Sequence, residues 1–188
     1  MKLMEKIKVH DKTFVPYLRD EELQEIVKDV AQRIYEDYKD EIPVFVGVLN
    51  GVFMFFSDLM KHYPGNCEIA FLQVSSYVGT QSTGIVYKKM DLTKEIKDRH
   101  IILVEDIVDT GNTIESLFEY FKNTQRPKSV KVASLLLKPE VYKKEFKIDY
   151  IGKEIPNKFV LGYGLDYDEL GRNLKDLYHL EDGKINDK

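Results

Sequence analysis

From Asp20 onward, apolar residues recur at three- and four-residue steps: Leu23, Ile26, Val27, Val30, Ile34 and Tyr38. This spacing puts them on one face of a 3.6-residue spiral and predicts an amphipathic helix. Asp20 can cap its start, with Glu21 and Glu22 in the first turn, where the helix dipole favours negative charge. Next comes Val44-Phe45-Val46-Gly47-Val48-Leu49, continuously apolar and broken by Asn50-Gly51, the pattern of a buried strand ending in a tight turn. A second helix is expected through Phe53, Phe56, Leu59 and Met60. Segments 69–74, 101–104 and 130–137 repeat the strand pattern, and Ile114, Leu117, Phe118 and Phe121 give a helical face between the last two. Strands alternating with helices imply an α/β fold on a mainly parallel sheet, in which ligands bind at the carboxyl ends of the strands.

The connection from Ser75 to Thr93 is polar, rich in Ser, Thr, Gly and Tyr, and too long for an ordinary turn, which suggests a lid. Residues from Glu181 onward are polar and expected to fray. No internal repeat or low-complexity tract is visible.

Composition narrows the function. With 188 residues, 43% of them hydrophobic and 32% charged, the chain suits one folded domain with interspersed charges. A net charge of -4 gives no general attraction to polyanions, so neither nucleic acid nor an anionic membrane is an expected partner. The most apolar stretch, 44–56, contains Asn50 and falls short of the ~20 residues that span a bilayer. The single cysteine, Cys67, can form no intrachain disulfide, the four histidines (His10, His62, His100, His179) have no ligand spacing, and Met1 to Lys12 lacks the apolar block of a signal peptide. A cytoplasmic setting is expected.

The segment Ile101-Ile102-Leu103-Val104-Glu105-Asp106-Ile107-Val108-Asp109-Thr110-Gly111-Asn112-Thr113 carries the strongest chemical signal. Thr110, Gly111, Asn112 and Thr113 bring hydroxyls and free amide protons to a helix start, a cradle for phosphate. The Gly-Lys-Ser/Thr of a nucleotide triphosphatase loop is missing. Glu105 and Asp106, expected at the strand end across from the cradle, are suited to accept hydrogen bonds from sugar hydroxyls or to orient a metal. Phosphate on one side and a diol on the other describe a ribose 5-phosphate.

This segment resembles the signature by which the type I purine phosphoribosyltransferase family binds 5-phosphoribosyl 1-pyrophosphate (PRPP), and the likeness extends from about Val44 to Leu174. It implies an α/β type I phosphoribosyltransferase fold: a mainly parallel twisted sheet flanked by helices, with a small hood lobe over the strand ends. The whole chain would be one such domain, its core at about 40–150 and its hood drawn from about 150–180 with a contribution from the N-terminus. The implied reaction is purine salvage, in which the phosphoribosyl group moves from PRPP to hypoxanthine or guanine and pyrophosphate leaves.

By the same resemblance, Asp109 is the catalytic residue, a general base near N7 of the purine. Lys138, at the end of Val132-Ala133-Ser134-Leu135-Leu136-Leu137-Lys138-Pro139, would contact the exocyclic O6 and select 6-oxopurines over adenine. In the segment from Glu154 to Tyr167, Phe159 would stack on the base while backbone groups at Lys158 and Val160 meet its edge. Arg172 would hold pyrophosphate together with Leu49, Asn50 and Gly51. Asp166, with Glu105 and Asp106, would serve Mg2+. Ser76 and Tyr77 would close the lid and keep water from the reacting centre.

In two places the sequence departs from the family pattern. Asn50-Gly51-Val52 stands where Lys-Gly-Gly is common, so the loop lacks a positive charge, and Asn112 stands where a lysine is frequent. The resemblance also implies a cis peptide at Leu49-Asn50 and a homodimer or homotetramer. Tyr163, Tyr167 and Tyr178 receive no role beyond packing. A PRPP-sensing regulator would need an added DNA-binding lobe or a basic face, and neither is visible. The ranking of hypoxanthine, guanine and xanthine stays open, because contacts to the C2 substituent come largely from backbone.

Overall fold

The computed structural model describes residues 5–76, 86–90, 92 and 94–181. In chain order these form β1 (Ile7–Val9), β2 (Lys12–Leu18), α1 (Asp20–Tyr38), β3 (Val44–Leu49), α2 (Phe53–His62), β4 (Glu68–Ser76), β5 (Val86–Met90) and β6 (His100–Val108). There follow α3 (Asn112–Tyr120) with a π-helical turn (Phe121–Gln125), β7 (Ser129–Leu137), β8 (Tyr150–Glu154), β9 (Val160–Leu161) and β10 (Leu177–Leu180).

The main sheet has the order β5-β4-β3-β6-β7-β8, parallel throughout except for β5, which runs antiparallel to β4 at the edge. Helices cover both faces, so its central strands are apolar on both sides. In β3, Phe45 points into the cluster under α1 and α2, while Val44, Val46 and Val48 join Ile114, Leu117 and Phe121 on the α3 side. Each such side chain, fully buried, contributes about 1.5–3 kcal/mol relative to exposure. On α1, Leu23, Val27, Val30, Ile34 and Tyr38 are buried as their periodicity requires, and Ile26 packs at the margin.

Asp20 does not cap α1. Arg19 occupies the N-cap in an extended conformation, and its N–H donates to Glu22 Oε2 at 3.0 Å. Asp20 is instead the first helical residue, and its own N–H donates to Asp176 Oδ1 at 2.8 Å. A carboxylate three residues on and another from near the far end of the chain thus satisfy the N–H groups of Arg19 and Asp20 at the helix start.

A second sheet, β1-β2-β10-β9, is antiparallel and forms the hood. Phe14, Leu161 and Tyr178 make its small core, with Ile7, Val9, Tyr167, Leu174 and Leu180 against them. The chain before α1 is a hairpin, β1 with β2. Its apolar residues Ile7, Val9 and Phe14 are covered by Leu161 of β9 and Tyr178 of β10, far along the chain. Within the 75–93 connection, β4 runs on to Ser76 and β5 pairs back along it. Tyr77, and with it the lid reading of the loop, lies outside the described residues.

Candidate active site

After β3 the chain moves to β4 on one side, then returns across to β6 on the other. The loops leaving β3 and β6 therefore part in opposite directions, opening a crevice at their carboxyl ends, where open α/β sheets bind ligands. Leu49, Asn50 and Gly51 line one side, and residues 109–113 line the other.

β6 is longer than its apolar run. It continues to Val108, so Glu105 and Asp106 lie within the strand and not in the loop beyond it. Parallel pairing with β7 carries it there, since Glu105 is in register with Ser134 and Val108 with Leu137. Glu105 is buried, and desolvation, aided by the charge of Asp106, pushes its pKa well above the usual carboxylate range. Asp106 is pushed up to about 6, mainly by burial; the Ile107 N–H donating to its Oδ1 at 2.8 Å and the charge of Arg172 pull the other way.

Beyond β6 the chain turns at Asp109 and Thr110, both exposed, and Gly111, at φ 82°, caps α3. A left-handed residue is needed there, and a Cβ would come within 2.7 Å of the Tyr142 ring. Asn112 and Thr113 open the helix, and residues 107–114 border an open cleft of about 190 Å3. Helix-start amides facing such a cleft are suited to an anion. Lys138, just past β7, is held by its N–H donating to Val108 O at 3.0 Å, and its Nζ lies 2.8 Å from Asp109 Oδ1.

On the other side of the crevice, the Leu49-Asn50 peptide is cis, and Asn50 Oδ1 accepts from Gln73 Nε2 at 3.2 Å. Gly51 is squeezed between two elements. A Cβ on it would fall 1.7 Å from Asp106 Oδ2, and a Cβ on Gly164 would fall 2.0 Å from Gly51 O. Gly164 in turn is tied to Arg172: its N–H donates to Arg172 O at 3.0 Å, and its carbonyl accepts from Arg172 Nη1 at 3.1 Å. Arg172 Nη2 pairs with Asp166 Oδ1 at 2.8 Å. The two residues expected to meet metal and pyrophosphate separately thus hold each other, and Asp166 Oδ2 accepts from the Glu169 N–H at 2.8 Å.

Among the described residues no group of three or more His, Cys, Asp or Glu side chains could hold a metal unaided, so Glu105, Asp106 and Asp166 do not form a cage. Burial also disfavours the charged form of Glu105 that coordination requires. Asp106 and Asp166 remain hard oxygen donors on the crevice side. One or two carboxylates completed by phosphate oxygens and water suit Mg2+.

The third wall comes from the hood. Phe159 is 46% exposed, with its ring 6.2 Å from that of Phe14 and 5.9 Å, edge to face, from that of Tyr167. Lys158 closes a tight turn through its N–H to Pro156 O at 2.7 Å, and Val160 starts β9. The Ile155 N–H bonds Leu137 O at 2.9 Å, which brings this hood segment beside the loop that carries Lys138.

The chain is similar to known proteins in both sequence and fold. Residues 17–168 match the model of the phosphoribosyl transferase domain. A hypoxanthine-guanine phosphoribosyltransferase of Streptococcus pneumoniae is 44% identical over 155 residues, covering 82% of this chain and 86% of that protein. The chain belongs to the hypoxanthine-guanine phosphoribosyltransferase family. The Aquifex aeolicus member is 40% identical over 167 residues, 88% of this chain and 93% of its own. A hypoxanthine phosphoribosyltransferase crystal structure from Staphylococcus aureus superposes with a TM-score of 0.83 at 39% identity, covering 89% of this chain and 91% of that one.

Two members of this site were not visible as such in the sequence. Gly164 lets the hood approach Gly51, and Tyr163, beside it, is 1% exposed with its hydroxyl donating to Asp58 Oδ2 at 2.6 Å. The Gly-Tyr-Gly spelling of 162–164 was the available signal, since a tyrosine flanked by two glycines marks a turn with an anchored centre.

Proposed function

We propose that the protein transfers the 5-phosphoribosyl group of PRPP to hypoxanthine or guanine, giving IMP or GMP and pyrophosphate. The observation that carries this reading is the 2.8 Å pairing of Asp109 with Lys138 beside the Thr110–Thr113 turn. It puts a proton acceptor and an ammonium at one edge of the cleft bordered by residues 107–114, as a 6-oxopurine would require.

In this reading the amides and hydroxyls of Thr110, Gly111, Asn112 and Thr113 take the 5'-phosphate, and Glu105 and Asp106 face the ribose hydroxyls. Phe159 stacks on the purine, Lys138 donates to O6, and the backbone at Lys158 and Val160 borders the pyrimidine edge. Asp109 accepts a proton from the N7 side as N9 attacks C1', while the C1'–oxygen bond to pyrophosphate breaks. The amides of Leu49, Asn50 and Gly51, with Arg172, receive the charge that grows on the leaving group. Mg2+, when bound, would stabilise that charge, with Asp106 and Asp166 the carboxylates best placed to hold it. Ser76 and Tyr77 would exclude water during the transfer.

The hood and the core act as one catalytic domain, since the crevice takes residues from both. No described helix is long and apolar enough to cross a membrane. A cytoplasmic homodimer or homotetramer completes the reading. The test is pyrophosphate release from PRPP and Mg2+ with hypoxanthine, guanine, xanthine or adenine offered in turn. Turnover with hypoxanthine or guanine is expected; turnover only with adenine would refute the role of Lys138, and none with any base would refute the function.

A further inference from the structure

Tyr163, itself buried, is the centre of a partly buried polar knot that joins three separate parts of the chain. Its hydroxyl donates to Asp58 Oδ2 at 2.6 Å, and the same oxygen accepts from Gln24 Nε2 at 2.7 Å. Asp58 Oδ1 accepts from Lys61 Nζ at 2.7 Å. Asp58 and Lys61 belong to α2, Gln24 to α1, and Tyr163 to the hood loop. Burial works against the Asp58 carboxylate, yet its three donors hold its pKa below the usual value. It therefore stays charged and keeps the tyrosine hydroxyl as a donor.

The backbone around this ring is fixed as tightly as the hydroxyl. Tyr163 adopts φ 48°, between Gly162 at φ 100° and Gly164 at φ 101°, and its N–H donates to Leu174 O at 2.7 Å. The residue after it packs on the carbonyl of Gly51 and exchanges two hydrogen bonds with Arg172. One side chain thus anchors, through its immediate neighbour, both the loop after β3 and the arginine facing it.

We propose that Tyr163 and Asp58 are positioning residues for the leaving group, setting the separation between Arg172 and the Asn50–Gly51 loop that pyrophosphate must bridge. The inference rests on the functional reading above. Asn50 brings no positive charge to that loop, so binding there depends on how accurately amides and guanidinium are spaced. Lys138, Asp109 and Phe159 lie outside the knot, and purine binding should be insensitive to it.

Tyr163→Phe keeps the ring and removes the hydroxyl, while Asp58→Asn keeps an acceptor oxygen but loses the charge. Calorimetric titration of pyrophosphate with Mg2+ is expected to show binding weakened roughly five- to twentyfold in Tyr163→Phe and less in Asp58→Asn. The double variant should fall short of the product of the two, because both act on one network. In steady state, KM for PRPP should rise while KM for hypoxanthine stays within about twofold; a purely structural role would move both or neither. Should Tyr163→Phe fail to fold, Asp58→Asn carries the same comparison. Unchanged pyrophosphate binding in folded variants, or equal rises in both KM values, would overturn the inference while leaving the function intact. A wild-type protein that binds neither PRPP nor pyrophosphate would overturn both.

Discussion

Lys138 Nζ lies 2.8 Å from Asp109 Oδ1, with the lysine side chain 9% exposed and the carboxylate half exposed. The two follow neighbouring parallel strands, and the buried lysine lacks an ordinary surface charge's freedom to turn away. The ammonium is oriented by the carboxylate beside it. Asp109→Asn keeps the shape but removes the proton acceptor, and should lower kcat by about 10^2–10^4-fold. PRPP binding, read by titration, should change little; a variant that still turns over at near the wild-type rate would remove Asp109 from the chemistry.

Gly51→Ala and Gly164→Ala test the closeness of hood and core. The first would drive a methyl group into Asp106 Oδ2 and the second into the carbonyl of Gly51, at a residue whose φ already disfavours a side chain. Overpacking of this kind costs about 1–3 kcal/mol. Both variants should show lower urea midpoints, together with weaker PRPP binding. A midpoint within error of wild type for both would mean that the crevice is looser than these distances imply.

Asp106 makes the protein's stability depend on pH in an unusual direction. Its pKa rises from the ordinary 3.8 to about 6 on folding, so between those values the native state holds the proton more tightly than the unfolded chain. Its contribution is therefore most favourable below pH 3.8 and declines as pH climbs towards 6, with little further change above. Asp106→Asn removes that decline. Relative to wild type the variant should gain up to about 3 kcal/mol between pH 4 and pH 7, measured by urea unfolding at each pH. A constant difference across the range would show that Asp106 titrates normally.

Phe159 separates binding from stability. Because it is 46% exposed, Phe159→Ala should move the unfolding free energy by only about 0.5–1 kcal/mol. Loss of base stacking, worth about 1–3 kcal/mol, should raise KM for hypoxanthine roughly five- to 150-fold. KM for PRPP is the internal control. Parallel increases in both would show that the ring supports the hood and not the base.

The contrast between α1 and the hood hairpin shows what a linear pattern can convey. Leu23, Val27, Val30, Ile34 and Tyr38 declare a helix because their partners are three or four residues away. Ile7 and Val9 alternate with Lys6 and Lys8 just as regularly, but residues that give their alternation meaning, Leu161 and Tyr178, are at the other end of the chain. β6 makes the same point. Its apolar run stops at Val104, yet pairing with β7 extends it through two carboxyl groups that no propensity would place in a buried strand.

The sequence by itself determined the alternating α/β plan, the Thr110–Thr113 turn at the start of α3, and which residue types face the crevice. Those follow from short-range periodicity and from local demands such as the left-handed turn at Gly111. Tertiary structure alone decided that Asp109 meets Lys138, that Asp166 meets Arg172, that burial raises Glu105 and Asp106, and that Tyr163 is anchored by Asp58. Each depends on distance and desolvation between residues far apart in the chain, quantities that packing sets and that no local stretch of sequence encodes.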